Sequence, residues 1–140
     1  MTPLNSIPCT AADDTPLCVR RDARGVVTLT LNDSARFNAL GSEMLTALQQ
    51  ALDAIAQDDS VRVVVLAGAG KAFCAGHNLK DMAAHPELAW YQQLFAQCSR
   101  VMLSIHKLPV PVIARVHAMA TAAGCQLVAQ CDLAVAADSA

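Results

Sequence analysis

Two short runs of small residues carry the chemistry this sequence offers: Phe73-Cys74-Ala75-Gly76-His77-Asn78-Leu79-Lys80 and Ala122-Ala123-Gly124-Cys125-Gln126. Each stands where an apolar, strand-like stretch gives way to a helix-like one. The first turn of a helix leaves its backbone N–H groups without intrahelical partners, and small residues let a ligand approach them closely. Two such turns aimed at one point make an oxyanion hole, a set of fixed donors for charge that builds up on a carbonyl oxygen.

The side chains beside these turns decide what else they could do. Gln126 can orient a water by hydrogen bonds, but its amide takes up no proton near neutral pH. His77 has two readings: a base, since neutral imidazole accepts a proton at physiological pH, or a ring stacked in a ligand pocket. Asn78 reads as the cap of a short following helix. Cys74 is a thiol at a helix start, where a thiolate is favoured, or simply a small turn residue. Gly68-Ala69-Gly70-Lys71 lacks the four-residue spacer and the hydroxyl of a P-loop. In Gly41-Ser42-Glu43, Ser42 reads as a helix cap rather than a nucleophile. His85, His106 and His117 have no metal partner at ligand spacing, so no metal site is expected.

The elements that must position these turns alternate. Leu17–Arg21 and Val26–Leu31 flank Asp22-Ala23-Arg24-Gly25 and read as a β-hairpin. After a polar loop, Met44, Leu45, Leu48, Leu52 and Ile55 recur at helical spacing through Gln57. Val61–Ala67 is an apolar run suited to a strand covered on both faces. Leu88, Tyr91, Phe95, Cys98, Met102 and Ile105 give a long helix one apolar face. Pro109 and Pro111 close that helix and start the strand Val112–Val116. A third helix begins near Ala122, and Leu133–Ala137 reads as another buried strand. This alternation is the signature of an α/β architecture with right-handed crossovers. The sequence stops at Asp138-Ser139-Ala140, directly after that strand. It is therefore expected to be the amino-terminal part of a larger domain, or to need a partner to complete its sheet.

The bulk properties exclude several classes. The chain has 140 residues, enough for one domain with a core, is 54% hydrophobic, and carries a formal charge of −2. No basic run points to nucleic acid, and no apolar stretch reaches the roughly 18 residues of a membrane span. Residues 1–16 hold Pro3, Pro8, Asp13, Asp14 and Pro16 but no Lys or Arg, and read as a short disordered leader before a domain over 17–140. The cysteines (Cys9, Cys18, Cys74, Cys98, Cys125 and Cys131) form no C-x-x-C pair. They are expected as buried free thiols in a cytoplasmic, reducing compartment.

The order of motifs resembles the enoyl-CoA hydratase/isomerase (crotonase) superfamily over about residues 17–140. The hairpin strand ending Leu31-Asn32 with Arg36-Phe37-Asn38-Ala39-Leu40 is similar to its first strand and Arg-x-Asn-Ala-Leu loop. Val63–Gly68 with Lys71–Gly76 resembles its strand and first oxyanion turn. Lys107–Ala114 is similar to its proline-marked strand, and Ala122–Gln126 with Cys131–Ala136 to its second turn, helix and strand. The resemblance implies a ββα spiral that assembles as a homotrimer or dimer of trimers. It also implies an acyl-CoA thioester as substrate, with coenzyme A as part of that substrate and no other cofactor. The thioester oxygen would accept hydrogen bonds from the amides of Ala75 and Ala123, with Gly76, Gly124, Ala39, His77, Asn78 and Leu79 lining the site and Arg36 contacting the CoA portion. Two family glutamates would place and protonate a water. Gln126 stands at the first, and the second would fall beyond Ala140. The expectation is thus an acyl-CoA-processing lyase of fatty acid metabolism that stabilises an enolate. The alternative is a non-catalytic acyl-CoA-binding or assembly subunit, because Gln126 replaces the Glu.

Overall fold

The computed structural model describes residues 14–140. Most of the expected leader lies outside the described residues. Of its last residues, Thr15 and Pro16 are tied to the end of a strand: the Asn32 side chain donates to the Thr15 carbonyl at 3.1 Å, and the Asn32 amide to that of Pro16 at 2.7 Å.

The strands are β1 (Leu17–Arg21), β2 (Val26–Leu31), β3 (Val63–Gly68), β4 (Val112–Val116) and β5 (Leu133–Ala136), and they lie side by side in that order. β1 and β2 are antiparallel, and the remaining pairs are parallel. The hairpin closes because Gly25 takes φ +82°, a region that admits glycine freely, and because the Asp22 carboxylate accepts the amides of Arg24 and Val26. Those N–H groups, the Val26 amide foremost, hold the Asp22 carboxyl below the usual range.

The helices are α1 (Ser42–Ala56), α2 (Leu79–Ala84), α3 (Leu88–Lys107) and α4 (Ala123–Gln130). α1 and α3 cover one face of the sheet. Along β2 the buried residues Val27, Leu29 and Leu31 alternate with half-buried ones, as a sheet packed on one side requires. They meet Leu45, Leu48 and Leu52 of α1 and Val101 and Ile105 of α3 in a single core. Removing such side chains from water supplies most of the driving force, about 1.5–3 kcal/mol each.

Three expectations change. Ser42 is the first residue of α1 and not its cap: Gly41 precedes the helix in extended conformation, with no side-chain cap bond. The buried stripe of α3 is Leu94, Cys98, Val101, Met102 and Ile105, while Leu88 and Phe95 stay 72% and 45% exposed. β5 is not buried. It bonds to β4 alone, and Leu133 and Val135 are 62% and 65% exposed, because no element among the described residues packs over this edge. The strand is nonetheless well anchored. Asp132 gives its amide to the Val112 carbonyl at 2.9 Å and takes the Val112 amide on its carboxylate at 2.7 Å.

The thiols also depart in part from expectation. Cys74, Cys98, Cys125 and Cys131 are free, but Cys125 is exposed and Cys18 is disulfide-bonded. Among the described residues no group of His, Cys, Asp and Glu could hold a metal ion, and no helix is long and apolar enough to cross a membrane.

Candidate active site

The two small-residue turns meet. Phe73 donates its amide to the Met119 carbonyl at 2.9 Å, and Thr121 donates to the Cys74 carbonyl at 3.1 Å. A short parallel bridge pairs Cys74 with Ala120. Glycine is required on both sides of this junction. A Cβ on Gly124 would run into the Cys74 carbonyl, and one on Gly76 would stand 3.0 Å from the Ala122 Cβ and 3.2 Å from the Ala123 nitrogen. The Cα of Gly76, at φ +87°, thus faces the first amide of α4.

Which amides are free follows from the hydrogen bonds. The Ala75 N–H already donates to the Phe37 carbonyl at 3.0 Å. This corrects the expectation for Ala75, since an amide satisfied inside the protein is not a donor for a ligand. The His77 and Ala123 amides make no hydrogen bond among the described residues. One belongs to the residue after Gly76, the other to the residue that Gly76 faces.

The first turn is held from the far side by Asn38, whose importance the sequence reading missed. Asn38 is fully buried, and its Nδ2 lies within 2.8–3.1 Å of the carbonyls of Ala69, Ala72 and Phe73. Its Oδ1 accepts the Asp33 amide at 2.9 Å. Phe37 and Asn38 both adopt left-handed backbone, φ +54° and +55°, which aims the Phe37 carbonyl at Ala75. Asn tolerates that region better than most residues, and an Asn between an Arg and an apolar pair was the available signal.

Arg36, Ala39, Ala75, His77, Asn78 and Leu79 line one cleft of about 510 Å³, together with Lys80, a volume in the range of small-molecule sites. Gly76, Ala123 and Gly124 form the packed junction at its side, and Gln126 lies exposed on the first turn of α4. Asn78 caps α2, accepting the amides of Lys80 and Asp81 on its side chain. The His77 ring places Nδ1 3.0 Å from the Leu40 carbonyl. A carbonyl only accepts, so Nδ1 carries a proton and donates it. Cys74 is buried, and desolvation pushes its thiol up to about 11, so it is a packing residue and not a nucleophile at neutral pH.

This mixed α/β sheet, with its strand-to-helix turns meeting beside a cleft, is the crotonase fold of the solved enoyl-CoA hydratases on which it superposes. The sequence pattern of the enoyl-CoA hydratase/isomerase family matches residues 21–140, and the chain belongs to that family. It is 63% identical to the crystal structure of an enoyl-CoA hydratase from Mycobacterium smegmatis, superposing with a TM-score of 0.87 over 88% of this chain and 48% of that one. Enoyl-CoA hydratase domain-containing protein 3, mitochondrial, of Xenopus laevis is 42% identical over 89% of this chain and 42% of its own length. The 1,2-epoxyphenylacetyl-CoA isomerase of Escherichia coli is 37% identical over 84% of this chain and 46% of its own length. The chain therefore spans less than half the length of these curated relatives.

Proposed function

We propose that this chain binds an acyl-CoA thioester and stabilises its enolate with the amides of His77 and Ala123. The observation that carries this reading is the approach of Gly76 to the first amide of α4, 3.2 Å from its Cβ position to the Ala123 nitrogen. That approach brings two unpaired donors to one junction. Arg36 and Lys80 line the adjacent cleft beside Asp81, and their exposed cationic ends can pair with the phosphates of coenzyme A. Coenzyme A enters as part of the substrate, and no separate cofactor is proposed.

Fixed donors act on charge that develops in the transition state, and removing one costs about 3–4 kcal/mol in comparable sites. They serve any reaction through an enolate or a tetrahedral oxyanion. Hydration also needs a group that moves a proton, which Gln126 does not provide. Isomerisation, decarboxylation and thioester hydrolysis remain within reach. The second reading, a non-catalytic acyl-CoA-binding or assembly subunit, is favoured by Gln126 specifically. A homotrimeric or dimer-of-trimers assembly completes the proposal, with sedimentation velocity as the check on assembly.

Gln126→Glu separates the two readings. Hydration of a short enoyl-CoA that appears in the variant and is absent from the wild type means that the donors and the cleft are in working register. A variant that binds the thioester and still does not hydrate it favours the binding role.

A further inference from the structure

The first half of the α3 face expected to be core carries rings at the edge of the packed stripe, while Cys98, Met102 and Ile105 of the same face are buried. Phe95 of α3 meets the His77 ring edge to face, 5.4 Å between centroids at 72°. One turn earlier, Tyr91 stacks on Phe95 at 6.3 Å and 26°. Trp90 and His85 continue the row. The row therefore ends on the residue whose amide stands free in the first turn.

The rings are fixed in place. The His77 Nδ1–H donates to the Leu40 carbonyl at 3.0 Å, and the Tyr91 hydroxyl donates to the Met82 carbonyl at 2.7 Å. Phe95 packs between them yet leaves 45% of its surface to water. The buried stripe of the same helix, Leu94 to Ile105, runs directly beside this row, so Phe95 stands at the edge of the core with nearly half of its ring open.

We propose that His77, Phe95 and Tyr91 form the wall that receives the acyl group, and that the site selects flat, conjugated acyl groups, such as aryl ones, over saturated groups of the same size. The inference rests on the oxyanion reading. With the thioester oxygen on the His77 amide, the first acyl carbons lie beside the His77 side chain, and Phe95 is the next ring outward. Aromatic pairs prefer centroid distances of 4.5–7 Å in edge-to-face or offset geometry, and a puckered saturated ring gains none of that term. A flat acyl group extends the existing row by one member.

The test is calorimetric titration with benzoyl-CoA, cyclohexanecarbonyl-CoA and free CoA, on the wild type, Phe95→Leu and Phe95→Tyr. The two thioesters share ring size and differ in flatness. The wild type is expected to bind benzoyl-CoA roughly three- to tenfold more tightly than its saturated counterpart. Phe95→Leu should bring that ratio close to one while free CoA binds as before, and Phe95→Tyr should keep it. A wild-type ratio near one, with both thioesters still tighter than CoA, overturns the aryl selectivity and leaves the oxyanion reading standing. A preference that survives in Phe95→Leu also overturns it. If neither thioester exceeds free CoA, the oxyanion reading fails and the selectivity falls with it.

Discussion

The two turns of the site are built in opposite ways. The turn at Phe73–Asn78 is overdetermined: Asn38 holds the carbonyls before and within it, Phe37 takes the Ala75 amide, Met119 takes the Phe73 amide, and Asn78 caps the helix beyond. The turn at Ala122–Gln126 has no side-chain cap, and Ala122 sits at φ +51°, ψ −125°, where an L-residue is strained by about 1–3 kcal/mol. It also carries Gln126 where the family resemblance implies Glu. The donor geometry is thus carried by a rigid first turn, against which a strained, chemically altered second turn is pressed.

The sharpest break in that contrast is Gly124→Ala. Its Cβ meets the backbone carbonyl of Cys74, which cannot swing aside, so the junction must open. A loss of about 3 kcal/mol or more is expected, together with loss of the thioester contribution to acyl-CoA binding, read by urea unfolding and by titration. Asn38→Ala attacks the rigid turn itself. It leaves the buried carbonyls of Ala72 and Phe73 and the half-buried one of Ala69 short of a donor and puts Ala in the left-handed region, for an expected cost of about 2–3 kcal/mol in the same unfolding assay. Ala122→Gly sharpens the contrast from the other side. Relief of strain outweighs the entropy of the added glycine, and a gain of about 1 kcal/mol is expected, seen as a higher urea midpoint with unchanged slope. The smallest effect is chemical. At neutral pH a thiol-alkylating reagent should modify exposed Cys125 and leave Cys74 untouched, since burial keeps Cys74 protonated up to about pH 11. Labelling of Cys74 in the folded protein would mean that the first turn opens.

Local chemistry made much of the fold legible. The strands Leu17–Arg21, Val26–Leu31 and Val112–Val116 were bounded by a glycine turn and by prolines, and they stand where those residues put them. α3 shows the limit of periodicity. Two adjacent apolar rows fit the same helical spacing, and only the packing against α1 and the sheet selects Leu94–Ile105 for the core and leaves the aromatic row outside. An apolar run also reads the same whether or not anything covers it, so the sequence of β5 predicts a buried strand where the structure has an exposed one. At the site, the meeting of two small-residue turns was legible, but the spent amide was not. Phe37 reaches Ala75 only because two consecutive residues take left-handed backbone, and no composition or spacing announces that.

The most direct measurement is the vibrational spectrum of a bound acyl-CoA carrying a 13C label at its thioester carbonyl. Two amides donating to that oxygen weaken the C=O bond. The account therefore predicts that the carbonyl stretch moves to lower frequency on binding, and that the shift disappears in Gly124→Ala, where the second turn is displaced. A bound thioester whose carbonyl absorbs as it does in water would contradict the account, because the ligand would then be held by its CoA portion alone.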